Sequence, residues 1–238
     1  MSEAIGTLAS GTPSPDMPGP SPVQLNRVVI VVTAQYYPPS ALDPDLLKVT
    51  GVIPEDWEPV ADDDPVVPGI QTAVRFRNGI EWNMNPMKLA ISQLCDGRFA
   101  EQYLIQELAV RFIRTFPRIP YQYLGLNWSV SKAAADPDRW LANRFLKRRN
   151  WLSNGSDILS MRPTFTLDAG DAVCNLDFST AQVRLSDGTP ERAVIVDCNV
   201  HHADEMDAEQ LEEAISAWPD RQRFVLAVLR DLVGELQA

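Results

Sequence analysis

Residues 70–92 read IQTAVRFRNGIEWNMNPMKLAIS. Ile70, Thr72, Val74 and Phe76 fall on one side of an extended chain, and Gln71, Arg75 and Arg77 on the other. That period of two is the mark of a half-buried strand. Asn78-Gly79 follows, a pair suited to a type I′ hairpin turn because both central residues there need positive φ. The return strand keeps Ile80, Trp82 and Met84 in phase. At Pro86 the phase flips to Met87, Leu89 and Ile91, which predicts a β-bulge. Alternation of this kind predicts an antiparallel sheet with one wet face.

Working outward, Val28–Val32 are five consecutive apolar β-branched residues and predict a central strand buried on both faces. An excursion, ALDPDLLKVTGVIPEDWEPVADDDPVVPG, separates it from the hairpin, with DPDLLKVT forming a helical turn or two. A helix is expected over 98–116, with Tyr103, Leu104, Leu108, Phe112 and Ile113 at helical spacing and Pro117 as its stop. In YQYLGLNWSV, Leu124, Leu126, Trp128 and Val130 share a face. Asp136 and Pro137 cap a further helix. Strands RPTFTLD and AVCNLDFSTAQVRL, a turn at Asp187-Gly188 and RAVIVDCNV lead into a closing helix or helix pair over 207–236, broken at Trp218-Pro219.

The two halves rhyme: each runs strand, excursion, Asx-Gly hairpin and helix. The expected fold is α+β, with pseudo-duplicated halves over 26–117 and 118–238. Together they form one compact unit, an antiparallel sheet with long helices packed on one face. Residues 1–25, rich in Ser, Pro and Gly, are expected to form a disordered tail.

The 238 residues carry 21 basic and 32 acidic side chains, a formal charge of -11. That balance disfavours general nucleic-acid binding, which draws on positive potential. Cys95, Cys174 and Cys198 are few, odd in number and widely spaced, which fits a reducing, cytoplasmic setting. No apolar run approaches the roughly 20 residues of a membrane span, and no charged-then-apolar leader opens the chain. GxGxxG, GxxxxGK[ST] and GxSxG motifs do not occur, and no cofactor is expected.

The segment AVIVDCNVHHADEMD, 193–207, holds both histidines. Strand alternation turns Val194, Val196, Cys198 and Val200 one way, and Asp197, Asn199 and His201 the other. The preceding strand turns Cys174, Leu176 and Phe178 inward, and Asn175 and Asp177 outward. A two-residue turn with a bulge near Thr180 brings Asp177 opposite or diagonal to Asp197. A divalent cation held by Asp177, Asp197 and His201 is one reading; a wet sheet face carrying polar residues is the other and is preferred. Cys174 and Cys198 are expected to be buried and unreactive.

The helix RWLANRFLKRRNW carries Arg139, Arg144, Lys147 and Arg148 beside Trp140, a pattern able to grip phosphates and stack bases. The competing reading makes the arginines a solvated face. Trp57, flanked by Glu55, Asp56 and Glu58, is either a partner-binding anchor or a cap folded back on the core.

VVIVVTAQYYPP, FRNGIEWNMNPMKLAIS, a helix and PYQYLGLNWSV, taken in that order, resemble a sporadically distributed bacterial family of uncharacterised proteins. The likeness spans most of 27–236. Its strand after the first long helix matches Tyr123 to Val130, with Trp128 at an aromatic position but Asn127 in place of the family's arginine. VIVDCNV and RQRFVLAVLRDLV fall at the late strand and terminal helix; Phe224 matches, while the family's histidine in that helix is missing. The resemblance implies the fold and a bacterial source, and carries no activity.

The leading functional expectation is a non-catalytic bacterial protein that binds another protein, as an adaptor or complex subunit. Its acidic surface, open sheet and exposed loop would receive a basic partner or a second copy of the chain. The alternatives are a metal-dependent hydrolase or nuclease built on Asp177 and Asp197, and a nucleic-acid-binding module built on the 139–151 helix.

Overall fold

A computed structural model of the chain describes residues 23–38, 41, 43–60, 72–146, 158–184, 190–202, 204–234 and 236. The expected tail up to residue 22, Lys147, Arg148 and the Asp187-Gly188 turn lie outside the described residues. The elements run β1 (Gln24–Ala34), α1 (Pro44–Val49), β2 (Thr72–Arg75), β3 (Ile80–Asn85), β4 (Lys88–Gly97) and α2 (Leu104–Thr115). They continue as β5 (Tyr121–Ala133), α3 (Pro137–Phe145), β6 (Thr164–Asp168), β7 (Val173–Arg184), β8 (Pro190–His201), α4 (Ala208–Ser216) and α5 (Trp218–Val233).

All eight strands join one antiparallel sheet in the order β2-β3-β4-β1-β5-β8-β7-β6. Strands dominate, and the helices span only six to sixteen residues. The first long helix narrows to α2. Before it, the Ala100 amide donates to Tyr103 Oη and the Tyr103 amide to Gln106 Oε1, so side chains take up backbone groups there. The terminal helix divides at Ala217, with Asp207 capping α4 through the Gln210 amide and Pro219 in the first turn of α5. Leu104 faces solvent, and Ile105 takes the buried position beside Leu108 and Phe112.

The strand order reads the same from either edge, with β1 and β5 at the centre. The hairpins correspond differently from the sequence expectation. Pro86-Met87 is a tight turn between β3 and β4, pairing Asn85 with Lys88, so the phase flip there is a chain reversal and not a bulge. Its counterpart is the β7–β8 connection. The Asn78-Gly79 turn instead corresponds to the β6–β7 turn at Ala169–Ala172. It is also not type I′, because only Gly79 has positive φ, 81°. The Phe76 amide donates to the Ile80 carbonyl and the Gly79 amide to the Phe76 carbonyl, giving a three-residue loop closed by glycine.

Only one face of the sheet is fully buried. Leu25, Val28, Ile30, Val32 and Ala34 of β1 point into the helical layer, while Val29 and Val31 are half-buried on the other side. The apolar run at Val28–Val32 therefore marks a central strand, but not one covered on both faces. An irregularity in pairing between Leu25 and Arg27 resets the inward phase. The ladder of β7 with β8 is regular from Val173↔His201 to Arg184↔Pro190, so no bulge occurs near Thr180. Ala181 and Gln182 are exposed because the hairpin runs out beyond the covered zone.

The helical layer locks onto the sheet at Gln222 of α5, which is 6 % exposed. Its Oε1 accepts from the indole N–H of Trp218 at 3.1 Å and of Trp128 at 3.4 Å, while its Nε2 donates to the Ala100 carbonyl at 2.7 Å. The two indoles pack with centroids 4.5 Å apart, and Tyr103 abuts Trp218 at 5.8 Å. Gln222→Leu keeps the volume but leaves two indole N–H groups without their acceptor in the core. We expect it to cost about 2–4 kcal/mol, read as a lower urea midpoint with unchanged slope.

Candidate functional site

The face of the sheet away from the helices is polar and continuous. Seven strand spacings of about 4.8 Å make it roughly 34 Å wide. Thr166, Asn175, Asn199 and Asn127 occupy successive register positions on β6, β7, β8 and β5. Thr166 Oγ1 donates to Asn175 Oδ1 at 2.9 Å, and Asn199 Nδ2 donates to Asn127 Oδ1 at 2.7 Å. The row fixes its amides against one another and against the Val29 and Gly125 carbonyls.

One row over, Asp177 and Asp197 stand directly opposite, as the sequence anticipated, although by a regular ladder. Both are exposed. Ser129 Oγ donates to Asp197 Oδ1 at 2.6 Å and Thr164 Oγ1 to Asp177 Oδ1 at 2.9 Å, so each carboxylate takes a hydroxyl from its outer neighbour. His201 does not join them. It lies four residues along β8, about 13 Å of strand rise away, opposite Val173. Its Nδ1 sits 3.2 Å from Asn199 Oδ1 and 3.4 Å from Asn175 Nδ2, within the asparagine row. Among the described residues no three His, Cys, Asp or Glu side chains gather as metal ligands do.

The neighbouring histidine turns the other way, into the covered layer. His202 is 4 % exposed, with Nδ1 3.8 Å from Asp171 Oδ2. Asp171 is in turn held by the Arg221 guanidinium, which also donates to the Ala169 carbonyl at 2.9 Å. Burial pulls the His202 pKa below the usual imidazole value, against the opposing pull of Asp171. The Arg221 hydrogen bond holds the Asp171 carboxyl below the usual range.

Cys174 and Cys198 are buried on neighbouring strands and are free thiols. Burial pushes the Cys174 thiol up to about 11 and the Cys198 thiol well above its ordinary value. Neither is poised as a nucleophile.

Trp57 is half-buried with its ring 5.0 Å from that of Phe76, capping the edge of the core. Glu55, Asp56 and Glu58 beside it are exposed, and Glu58 lies 3.5 Å from Arg77. On α3, Trp140 and Phe145 pack on the core while Arg139 faces solvent. Arg144 is engaged elsewhere: its guanidinium donates to the Leu232 carbonyl at 2.8 Å and to that of Asp231, capping the end of α5.

A depression of about 500 Å³ lies on the open face near one end of the central strands, bordered by Lys88, Tyr123, Gly125, Asn199 and His201. No local sequence pattern marks Lys88 or Tyr123, and Gly125 carries only a weak one. The available signal was the glycine, an interruption inside an otherwise strongly patterned strand. No protein-family model matches the sequence, and no curated protein matches it either.

Two measurements follow from this geometry. Because the fold keeps His202 neutral, the unfolded chain binds the extra proton as pH falls below about 6.5. Stability is then complete above that pH and declines below it, with Asp171 adding a second loss only in the range below ordinary carboxylate values. His202→Asn should flatten the decline between pH 7 and 5 in denaturation midpoints. Asp197→Asn relieves the facing charges and keeps an acceptor for Ser129. It should raise stability by about 0.5 kcal/mol at low salt; a loss instead would show that the pair is held together by something bound between them.

Proposed function

We propose that the chain is a non-catalytic bacterial protein, acting in the cytoplasm as an adaptor or complex subunit by binding another protein. The observation that carries this reading is a set of exposed large apolar side chains at one end of the sheet. Tyr36, Met87 and Tyr123 are 54, 62 and 40 % exposed. They stand where β1 ends, β3 turns into β4 and β5 begins. The backbone there is held together: Tyr37 N–H donates to the Pro86 carbonyl, Ala34 N–H to the Met87 carbonyl and Tyr123 N–H to Thr33 Oγ1. Tyrosine and methionine are residue types enriched where proteins meet.

The net charge of -11 favours a basic partner, drawn by long-range attraction before the apolar anchors engage. The exposed acids Glu55, Asp56 and Glu58 add to that field. Among the described residues no helix is long and apolar enough to cross a membrane. The bacterial setting rests on the family resemblance described above.

The cation-dependent alternative has the facing aspartates in its favour but lacks His201 beside them. The nucleic-acid alternative needs Arg144, whose guanidinium is occupied at the end of α5.

The test is a comparison of the wild-type chain with the triple variant Tyr36→Ser, Met87→Ser and Tyr123→Ser as baits in lysate of the native host. The variant should lose a salt-sensitive partner while keeping its denaturation midpoint within about 0.5 kcal/mol, since the three side chains are exposed. Identical captures by the two baits would overturn the assignment of this end of the sheet.

A further inference from the structure

We infer that the depression on the open face is a binding site for a small oxyanion-bearing molecule of the carboxylate class. The inference is independent of the protein-binding reading and rests on different residues, apart from Tyr123.

Gly125 is the first observation. It sits in the interior of β5, between Val31 of β1 and His201 of β8. Its backbone does not have the positive φ that favours glycine. A glycine inside a central strand weakens it, and backbone geometry gives no reason for it here. The absent side chain is what shapes the surface: a Cβ would stand 3.2 Å from Asn199 Nδ2 and 3.7 Å from Val31 Cβ. Gly125 thus leaves the floor of the depression open and lets the asparagine row lie flat across it.

The second observation is the lining. None of the ten residues bordering the depression is Asp or Glu, in a chain with 32 acids against 21 bases. They include Lys88 and His201, which stand on opposite sides. Lys88 of β4 pairs with Thr33 of β1, and His201 of β8 is three strands away across β5 and β1. Lys88 is exposed, and no ion pair engages it among the described residues. His201 has Nδ1 fixed within the asparagine row, which orients the ring and leaves Nε2 as its remaining polar atom.

A basic group on either wall, fixed amides between them and the half-buried Val31 beneath suit a compact organic anion with separated carboxylates. The β4-to-β8 separation, three strand spacings or about 14 Å, sets the span that the Lys88 and His201 side chains bridge from either side.

Citrate serves as the probe, with inorganic phosphate as a second arm, titrated into the full chain and followed by amide chemical shifts. Citrate is expected to give saturable shifts at Gly125, Asn127, Asn199 and His201. Affinity should fall about tenfold or more in Lys88→Glu, an exposed position whose change leaves the core intact. Gly125→Val should abolish the response, and Lys88→Glu keeps the proposal testable if that variant fails to fold. Tighter binding of citrate than phosphate supports a carboxylate ligand. Equal or tighter binding of phosphate overturns the carboxylate assignment. Shifts that do not saturate, or that Lys88→Glu leaves unchanged, overturn the site itself.

Discussion

The structure depends on the pairing of β1 with β5. Each half supplies four strands, and among the described residues no other pair of strands joins the halves. The pairing sets Val28 against Trp128 and Ile30 against Leu126. It thereby brings Trp128 under α5, where Gln222 and Trp218 close over it. Helices from both halves then meet above the seam, with Arg114 of α2 donating to Glu212 of α4 at 2.8 Å. Continuous burial across the seam makes the core one cluster and not two.

How much of this was legible in the sequence depended on the kind of signal. Strand alternation correctly assigned the inward faces of β3, β5, β7 and β8, because a period of two leaves little freedom once one residue is buried. Turn chemistry was less reliable. Asn78-Gly79 looked like a two-residue turn, but the loop takes in Arg77 as well, and only Gly79 has positive φ. Pro86 resembled a disruption within a strand because a tight turn and a bulge both reverse the apolar phase. The distinction rests on which residues pair across the chain, and a single sequence does not carry that. The same ambiguity produced the expected bulge near Thr180, where the apolar residues simply pass out of the covered zone.

The site was legible only in part. Asp177 and Asp197 were placed together from alternation alone. Asn127 could not be added to Asn175 and Asn199 without knowing that β5 lies beside β8, some seventy residues apart in the chain. Lys88 comes from yet another strand and gave no local pattern. Trp57 and Arg144 show the converse: each had a plausible binding role in the sequence, and each is engaged within the fold, by Phe76 and by the end of α5. An aromatic or an arginine is informative about binding only after its intramolecular partners are known.

The mirrored strand order also bears on how the chain reaches this state. In the first half β2, β3 and β4 follow one another by short turns, and β1 has its full β4 partner once residue 97 has left the ribosome. The other edge of β1, which carries the most apolar run in the chain, waits for β5 to finish at Ala133. At synthesis rates of about 5–20 residues per second, those 36 residues correspond to roughly 2–7 seconds. Throughout that interval the nascent half-sheet presents an unpaired apolar edge, the kind of surface that chaperones shield and that seeds aggregation. The strand that unites the finished molecule is thus also its point of greatest exposure during synthesis.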